Sequence, residues 1–134
     1  MDYKSNPPLV VLDKPNLNKF WLIGFTEAEG SFCLVNKTSD RIAHGFALTK
    51  KDRDVLEEIR LILNIKPLVR WNRKGFWVLD ATGKDDIKKI KDYYFKCFKG
   101  VTSLYYRIWA RSFRDKGKYS KLLSVKNHLR KLKN

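Results

Sequence analysis

Apolar residues recur along this chain with two alternating periods, and the switches between them outline a fold. Leu22, Ile23 and Phe25 fall at helical spacing ahead of Gly30. They predict a helix that starts near Asn16 or Asn18, either of which can cap it, and runs to Ala28. Residues 31–37 and 42–50 alternate instead with period two, around a polar turn of Thr38, Ser39 and Asp40, and read as two strands. Phe32, Leu34, Phe46 and Leu48 make the best apolar side of that pair and set its phase. Val55, Ile59, Ile62 and Leu63 return to helical spacing over 52–63, with Asp52 or Asp54 near the start. Residues 67–72 and 75–80 read as a second hairpin around Arg73, Lys74 and Gly75. Ile87, Ile90 and Tyr94 mark a helix over 84–98, and another is expected over 102–112. The order is αββαββα, an α+β domain over residues 16–112.

Two segments lie outside this pattern. Residues 1–15 hold Pro7, Pro8 and Pro15 with little periodicity and read as an arm. That arm also holds Asp2 and Asp13, unlike a transit or signal peptide. The end of the chain is basic: residues 111–134 carry 9 Lys or Arg and one acid. Leu122, Val125, Leu129 and Leu132 still recur there every three or four positions, so the tail, residues 113–134, is expected to be an amphipathic basic helix.

Charge narrows the function. The chain has 134 residues and a formal net charge of +15, which favours a polyanionic partner. The charge is spread over the whole pattern and no apolar run reaches membrane length, so nucleic acid is expected and a membrane is not. Cys33 and Cys97 are far apart and fit a reduced compartment better than a disulfide framework. His44 and His128 make no metal-ligand spacing with them.

The most informative block is residues 21–30, Trp-Leu-Ile-Gly-Phe-Thr-Glu-Ala-Glu-Gly. Gly24 and Ala28 sit one turn apart on one helix face, where small residues let a second helix approach backbone to backbone. Gly30 is expected to stop the helix through its tolerance of positive φ. Glu29 then lies at a helix C-terminus, an unfavourable place for a carboxylate unless a cation offsets it. A strand beginning Ser31-Phe32 follows at once.

This block resembles the signature of the LAGLIDADG homing endonuclease family, with Leu22 to Gly30 on its nine positions and Ser31 and Phe32 on its usual continuation. The resemblance covers residues 16–112 and implies an αββαββα core with a four-stranded antiparallel sheet, here followed by the basic helical tail. It implies pairing of two cores through the Leu22–Gly30 helices, with Gly24 and Ala28 at the contact. Glu29 would be the catalytic and metal-binding acid, holding Mg²⁺ beside the scissile phosphates. Glu27 lies about 200° away round the helix and cannot share that face. Lys50 falls where the family places a polar residue, often Gln, so it is a catalytic candidate; charged lysine cannot accept a proton. The family's usual lysine before the helix near residue 102 is missing from Gly100-Val101-Thr102-Ser103-Leu104, and Lys99 and Arg107 only flank that place.

In the family the sheet reads base edges with alternate residues. Here that set would be Ser31, Cys33, Val35 and Lys37, then Ala43, Gly45, Ala47 and Thr49. Most of these offer no base-reading group. Lys37, Arg70, Asn72 and Arg73 can reach a base or phosphate. Lys50, Lys51 and the tail group Arg111, Arg114, Lys116, Lys118, Lys121, Lys126, Arg130 and Lys131 complete the candidate nucleic-acid contacts. Trp71, Trp77, Tyr105, Tyr106 and Trp109 could stack on unpaired bases, although such residues are more often core or helix-packing groups.

Two functions compete. One is an RNA-binding protein with nuclease activity lost or weak, an intron maturase or a component of an organellar ribosome held among other ribonucleoprotein subunits. The other is a homodimeric endonuclease that makes metal-dependent double-strand cuts in DNA. The changed helpers, the bare sheet face and the basic tail favour RNA. An organellar source, mitochondrial before chloroplast, fits the Lys-heavy, Asn-containing composition.

Overall fold

The structure, a computed structural model, describes residues 18–133, with side chains to Leu132. The arm expected over residues 1–15 lies outside the described residues. Helix α1 (Lys19–Glu29) leads into the hairpin β1 (Ser31–Thr38) and β2 (Arg41–Lys50). Helix α2 (Arg53–Leu63) follows, then the hairpin β3 (Arg70–Asn72) and β4 (Phe76–Ala81). Helices α3 (Lys84–Tyr93) and α4 (Gly100–Arg111), a 3₁₀ turn (Ser112–Asp115) and α5 (Tyr119–Lys133) complete the chain. The four strands form one antiparallel sheet in the order β1-β2-β4-β3. Fold class and element order agree with the sequence pattern. Among the described residues no helix is long and apolar enough to cross a membrane, and Cys33 and Cys97 are not disulfide-bonded.

One sheet face is covered by helices. Phe32, Phe46 and Leu48 are buried there with Leu22, Leu56, Ile59, Ile90, Tyr94 and Trp109. Phe32 sits at the centre, within 5.0–5.8 Å of the rings of Phe46, Tyr94, Phe98, Tyr106 and Trp109. Farther along the hairpin, Leu34 and Ile42 pack with Leu122 of α5 in a second, smaller cluster. The basic C-terminal helix therefore lies on the helix-covered side of the sheet.

Three boundaries depart from expectation. Strand β3 starts at Arg70, not 67, because the Arg60 guanidinium donates to the carbonyls of Pro67 and Lys66 and holds that stretch against α2. Helix α3 ends at Tyr93, not 98: a chain of turns follows, and Lys96 takes φ +56°. Helix α4 begins at Gly100, whose φ is +65°.

Gly30 ends α1 as expected, but not through positive φ. Its φ is −82°, and its N–H donates to Thr26 O at 2.7 Å. What it lacks is room. A Cβ there would stand 2.7 Å from both Thr26 Cγ2 and Thr26 O, so glycine lets the chain turn into β1 directly beneath the helix.

Candidate nucleic-acid interface

Helix α1 is anchored from below and bare above. Asn18 Oδ1 accepts from Trp21 N at 2.8 Å and caps it. Leu22 and Thr26 are buried, and Thr26 Oγ1 shares a 2.6 Å hydrogen bond with Tyr94 OH. Burial raises the Tyr94 pKa, so this hydroxyl stays neutral. Gly24, Ala28, Glu27 and Glu29 are exposed. Phe20 is 86% exposed and Trp21, stacked on Phe25 at 5.1 Å, is 39% exposed. A Cβ added at Gly24 would meet nothing within 4 Å among the described residues, so no contact among them requires a glycine there.

Glu29 has no cationic partner among the described residues, nor has Glu27. The first turn of α4 reaches this end of α1, with Thr102 Oγ1 3.5 Å from Glu27 O. Lys50 lies on the helix side of the sheet, paired across β4 with Trp77, its Nζ 5.2 Å from the centre of the Phe25 ring. It thus belongs with the motif helix, apart from the uncovered face of the sheet. No group of three or more His, Cys, Asp or Glu able to hold a metal occurs among the described residues. At the C-terminal end of the motif helix one chain presents one exposed carboxylate, Glu29, with Glu27 on another face of the helix. Mg²⁺ is commonly held by one or two carboxylates, waters and substrate phosphates. Glu29 fits that donor set as half of a site, completed by a second carboxylate and a phosphate backbone.

The uncovered sheet face has the expected phase. It carries Ser31, Cys33, Val35 and Lys37 from β1 and Ala43, Gly45, Ala47 and Thr49 from β2. A Cβ on Gly45 would press on Val35 Cγ2 at 3.0 Å and Cys33 Sγ at 3.1 Å, so small apolar groups close the face there. Its polar groups are already bonded to one another. Lys37 Nζ donates to Thr82 Oγ1 at 2.6 Å, and Arg70 pairs with Asp80 at 2.8 Å. Asn72 Oδ1 accepts from Lys74 N in the β3–β4 turn. Lys51, Arg73 and Lys74 are exposed. Asp80 and Thr82 were missed from sequence. The alternation along β4 places them beside Lys37 and Arg70, and Asp80 adds an acceptor suited to a cytosine amine.

The tail cations stand elsewhere. Arg111, Arg114, Lys116, Lys118, Lys121, Arg130 and Lys131 are exposed on the helix layer, and Lys126 Nζ donates to Asn36 Oδ1 at 2.7 Å. The structure does not bring them together with Lys37 and Arg70. Nor are the aromatics free to stack on bases at that face. Tyr106 and Trp109 are buried, and Trp109 Nε1 donates to Cys33 O at 2.9 Å. Tyr105 OH donates to Leu132 O at 3.1 Å, tying α4 to α5. Trp71 and Trp77 meet edge to face on the helix side, 5.1 Å apart, with the Arg53 guanidinium over Trp77.

The model of one protein family, described as LAGLIDADG endonuclease, matches residues 22–112. This chain belongs to that family. The LAGLIDADG signature thus occupies the motif helix and the strand that follows it. The chain is 38% identical over 125 residues to the probable intron-encoded endonuclease Cox1-I1b of Schizosaccharomyces pombe, a match covering 88% of this chain and 33% of that protein. It therefore spans about a third of that relative's length. Among solved structures it is similar to the LAGLIDADG meganuclease I-AabMI bound to uncleaved DNA, with TM-score 0.71 and 19% identity over 82% of this chain and 44% of that one. It is also similar to the archaeal intron-encoded homing endonuclease I-Vdi141I complexed with DNA, with TM-score 0.69 and 23% identity over 84% and 81%. Those likenesses establish the LAGLIDADG fold.

Proposed function

We propose that this LAGLIDADG domain is one half of a homodimeric, intron-encoded DNA endonuclease that hydrolyses phosphodiesters with a divalent metal such as Mg²⁺. One observation carries the reading: Gly24 is exposed in mid-helix with open space around it. Glycine costs a helix interior about 1 kcal/mol relative to alanine, and no contact among the described residues offsets that. A second copy packed along Gly24 and Ala28 would, and it would bring the two Glu29 carboxylates side by side. The RNA-binding, ribosomal role that the changed helpers, the bare sheet face and the basic tail favour has less support, since the relatives are named endonucleases. The metal expected from the signature is retained with the DNA reading, as is an organellar, mitochondrial source.

In this mechanism Gly24 and Ala28 set the approach of two α1 helices. Thr26 and Tyr94 fix the height of each helix above its sheet. Lys37, Arg70, Arg73 and Lys51 hold the DNA backbone along the uncovered faces, Lys37 and Arg70 exchanging their internal partners for phosphate or base oxygens. The paired Glu29 side chains would hold the metal, whose chemistry there is Lewis-acid stabilisation of charge on the phosphodiester and acidification of water. Lys50, held over Phe25, adds a positive charge beside the motif helix. The uncharged stretch 100–104 supplies none, so cutting is expected to be slow.

Sedimentation and cleavage test the reading together. The protein is incubated with Mg²⁺ or Mn²⁺ and a plasmid library of candidate sites. Site-specific double-strand cutting, lost in Glu29→Gln, and a dimer that falls to monomer in Gly24→Leu are expected. A monomer with no cutting under either metal, and no gain when Lys is restored at 102 or 104, would overturn it.

A further inference from the structure

Most of the charge on this protein does not face the proposed DNA surface. Residues 84–131 carry fifteen Lys or Arg and four Asp, +11 of the +15, and they build α3, α4 and α5 on the opposite side of the sheet. Duplex DNA on the uncovered face leaves that charge without a partner. Within it lies a groove of about 580 Å³ between the turns after α3 and one face of α4. Lys91, Lys96, Arg107 and Arg111 line it, and no carboxylate does. None of the four has an acidic partner among the described residues; Lys88 takes up the nearby Asp92 at 3.2 Å. The groove floor is aromatic, with Phe98 and Tyr106, and Phe95 stands at its edge 63% exposed. Lys96, at φ +56°, keeps its ammonium 5.4 Å from the centre of the Phe95 ring.

We propose that the α3–α4 groove binds single-stranded nucleic acid, with a base stacked on Phe95 and the flanking phosphates held by Lys96, Arg107 and Arg111. Three features favour this occupant over a protein or a duplex. An exposed ring beside cations suits an unpaired base, because every base has a stacking face and a paired base does not show it. Four cations without a carboxylate match a phosphate backbone, whereas an apolar peptide would leave them desolvated and unpaired. The groove also opens away from the sheet face, so a single strand and duplex DNA would not compete for it.

The binding chemistry is shared by RNA and single-stranded DNA, and two arms of the test separate them. Fluorescein-labelled sixteen-nucleotide oligo-uridine, its deoxythymidine counterpart and a mixed-sequence sixteen-base-pair duplex are titrated with the full chain at two salt concentrations. Phe95→Ala should weaken single-strand binding about 5- to 100-fold, and Phe95→Trp should retain it. Arg107→Gln with Arg111→Gln should flatten the salt slope by about 0.7 per cation. Duplex binding should be unchanged in all three variants. A preference for the RNA strand would show a 2′-hydroxyl contact; equal affinities would mean that stacking and phosphates suffice.

Single-strand binding unaffected by Phe95→Ala, or lost in parallel with duplex binding, would overturn the proposal. So would tighter binding after removal of residues 1–17, which would make the chain's own arm the occupant. A change of sedimentation on Phe95→Ala would do the same, by making the groove a contact between copies. Absence of cleavage by this protein leaves the result unaffected, since the groove is separate from Glu29.

Discussion

Acidification should loosen this fold through His44, and the size of the effect follows from its surroundings. His44 is buried on β2 against the 3₁₀ turn, its ring 4.0 Å from that of Phe113. Ser112 Oγ donates to Trp109 O at 2.7 Å, so it accepts from His44 Nε2, also at 2.7 Å, and the ring is held neutral with its proton on Nε2. Burial first, and then the charges of Lys116 and Lys91, lower the pKa from 6.5 to about 4. The unfolded chain then takes up a proton near pH 6.5 while the folded one resists until about pH 4. Stability is full above that window and falls through it as the pH drops. At about 1.4 kcal/mol per pKa unit the total is about 3 kcal/mol, of which about 1.4 is lost by pH 5.5 and about 2.6 by pH 4.5. Urea unfolding of wild type and His44→Phe from pH 7.5 to 4 isolates the effect, because carboxylates common to both cancel in the difference. Phenylalanine keeps the stack on Phe113, and Ser112 keeps its bond to Trp109. Wild type should lose about 3 kcal/mol relative to the variant across the window. Parallel pH profiles, agreeing within about 0.5 kcal/mol, would refute the assignment of a neutral buried imidazole.

Other outcomes follow from single contacts. Gly30→Ala should destabilise the protein by about 1–3 kcal/mol, measured by the same unfolding, since its methyl would collide with Thr26 Cγ2 and O at 2.7 Å. Gly24→Ala should stabilise a dilute monomer by about 0.5–1 kcal/mol while weakening self-association in sedimentation. Leu122→Ala should cost about 2–5 kcal/mol, because Leu122 is buried on Leu34 and Ile42. Replacing Lys121, Arg130 and Lys131 together by Gln should leave stability nearly unchanged and duplex-DNA affinity nearly intact. Equal losses from the two α5 variants would mean that its charge, not its packing, holds the helix in place.

The strand phase was legible because Phe32, Leu34, Phe46 and Leu48 alternate with small or polar residues, and a one-residue slip would turn all four to the other face. The motif helix was legible for a similar reason, with a capping Asn18, a terminating Gly30 and apolar spacing at Leu22, Ile23 and Phe25; Leu22 is fully buried, while the buried Thr26 was not foreseen. Gly30 shows the limit. Sequence identifies where a glycine is needed, but the cause here was the side chain four residues earlier, and only the turn into β1 brings Thr26 onto it. Helix α3 was read too long because Tyr94 and Phe98 continue its period. Both are core, but the backbone reaches Phe98 through turns and a left-handed Lys96, a conformation that the apolar pattern does not encode.

The same distinction explains why the site was half legible. Glu29, Gly24 and Ala28 come from one continuous segment, and their spacing fixes their placement. Lys37, Arg70 and Asn72 were correctly put on the uncovered face, yet their partners Asp80, Thr82 and Lys74 come from β4 and the turn before it. Strand pairing, not any local pattern, decides that Lys37 meets Thr82 across 45 residues. The tail cations show the reverse limit. Their charge was legible, but Leu122 and Leu129 carry α5 to the helix layer, and packing of that kind outweighs the pull of surface charges on an absent polyanion. A basic segment is therefore located by what its apolar residues bury. In this chain they bury the far end of the first hairpin, leaving the charge on the side away from the face proposed to hold the duplex.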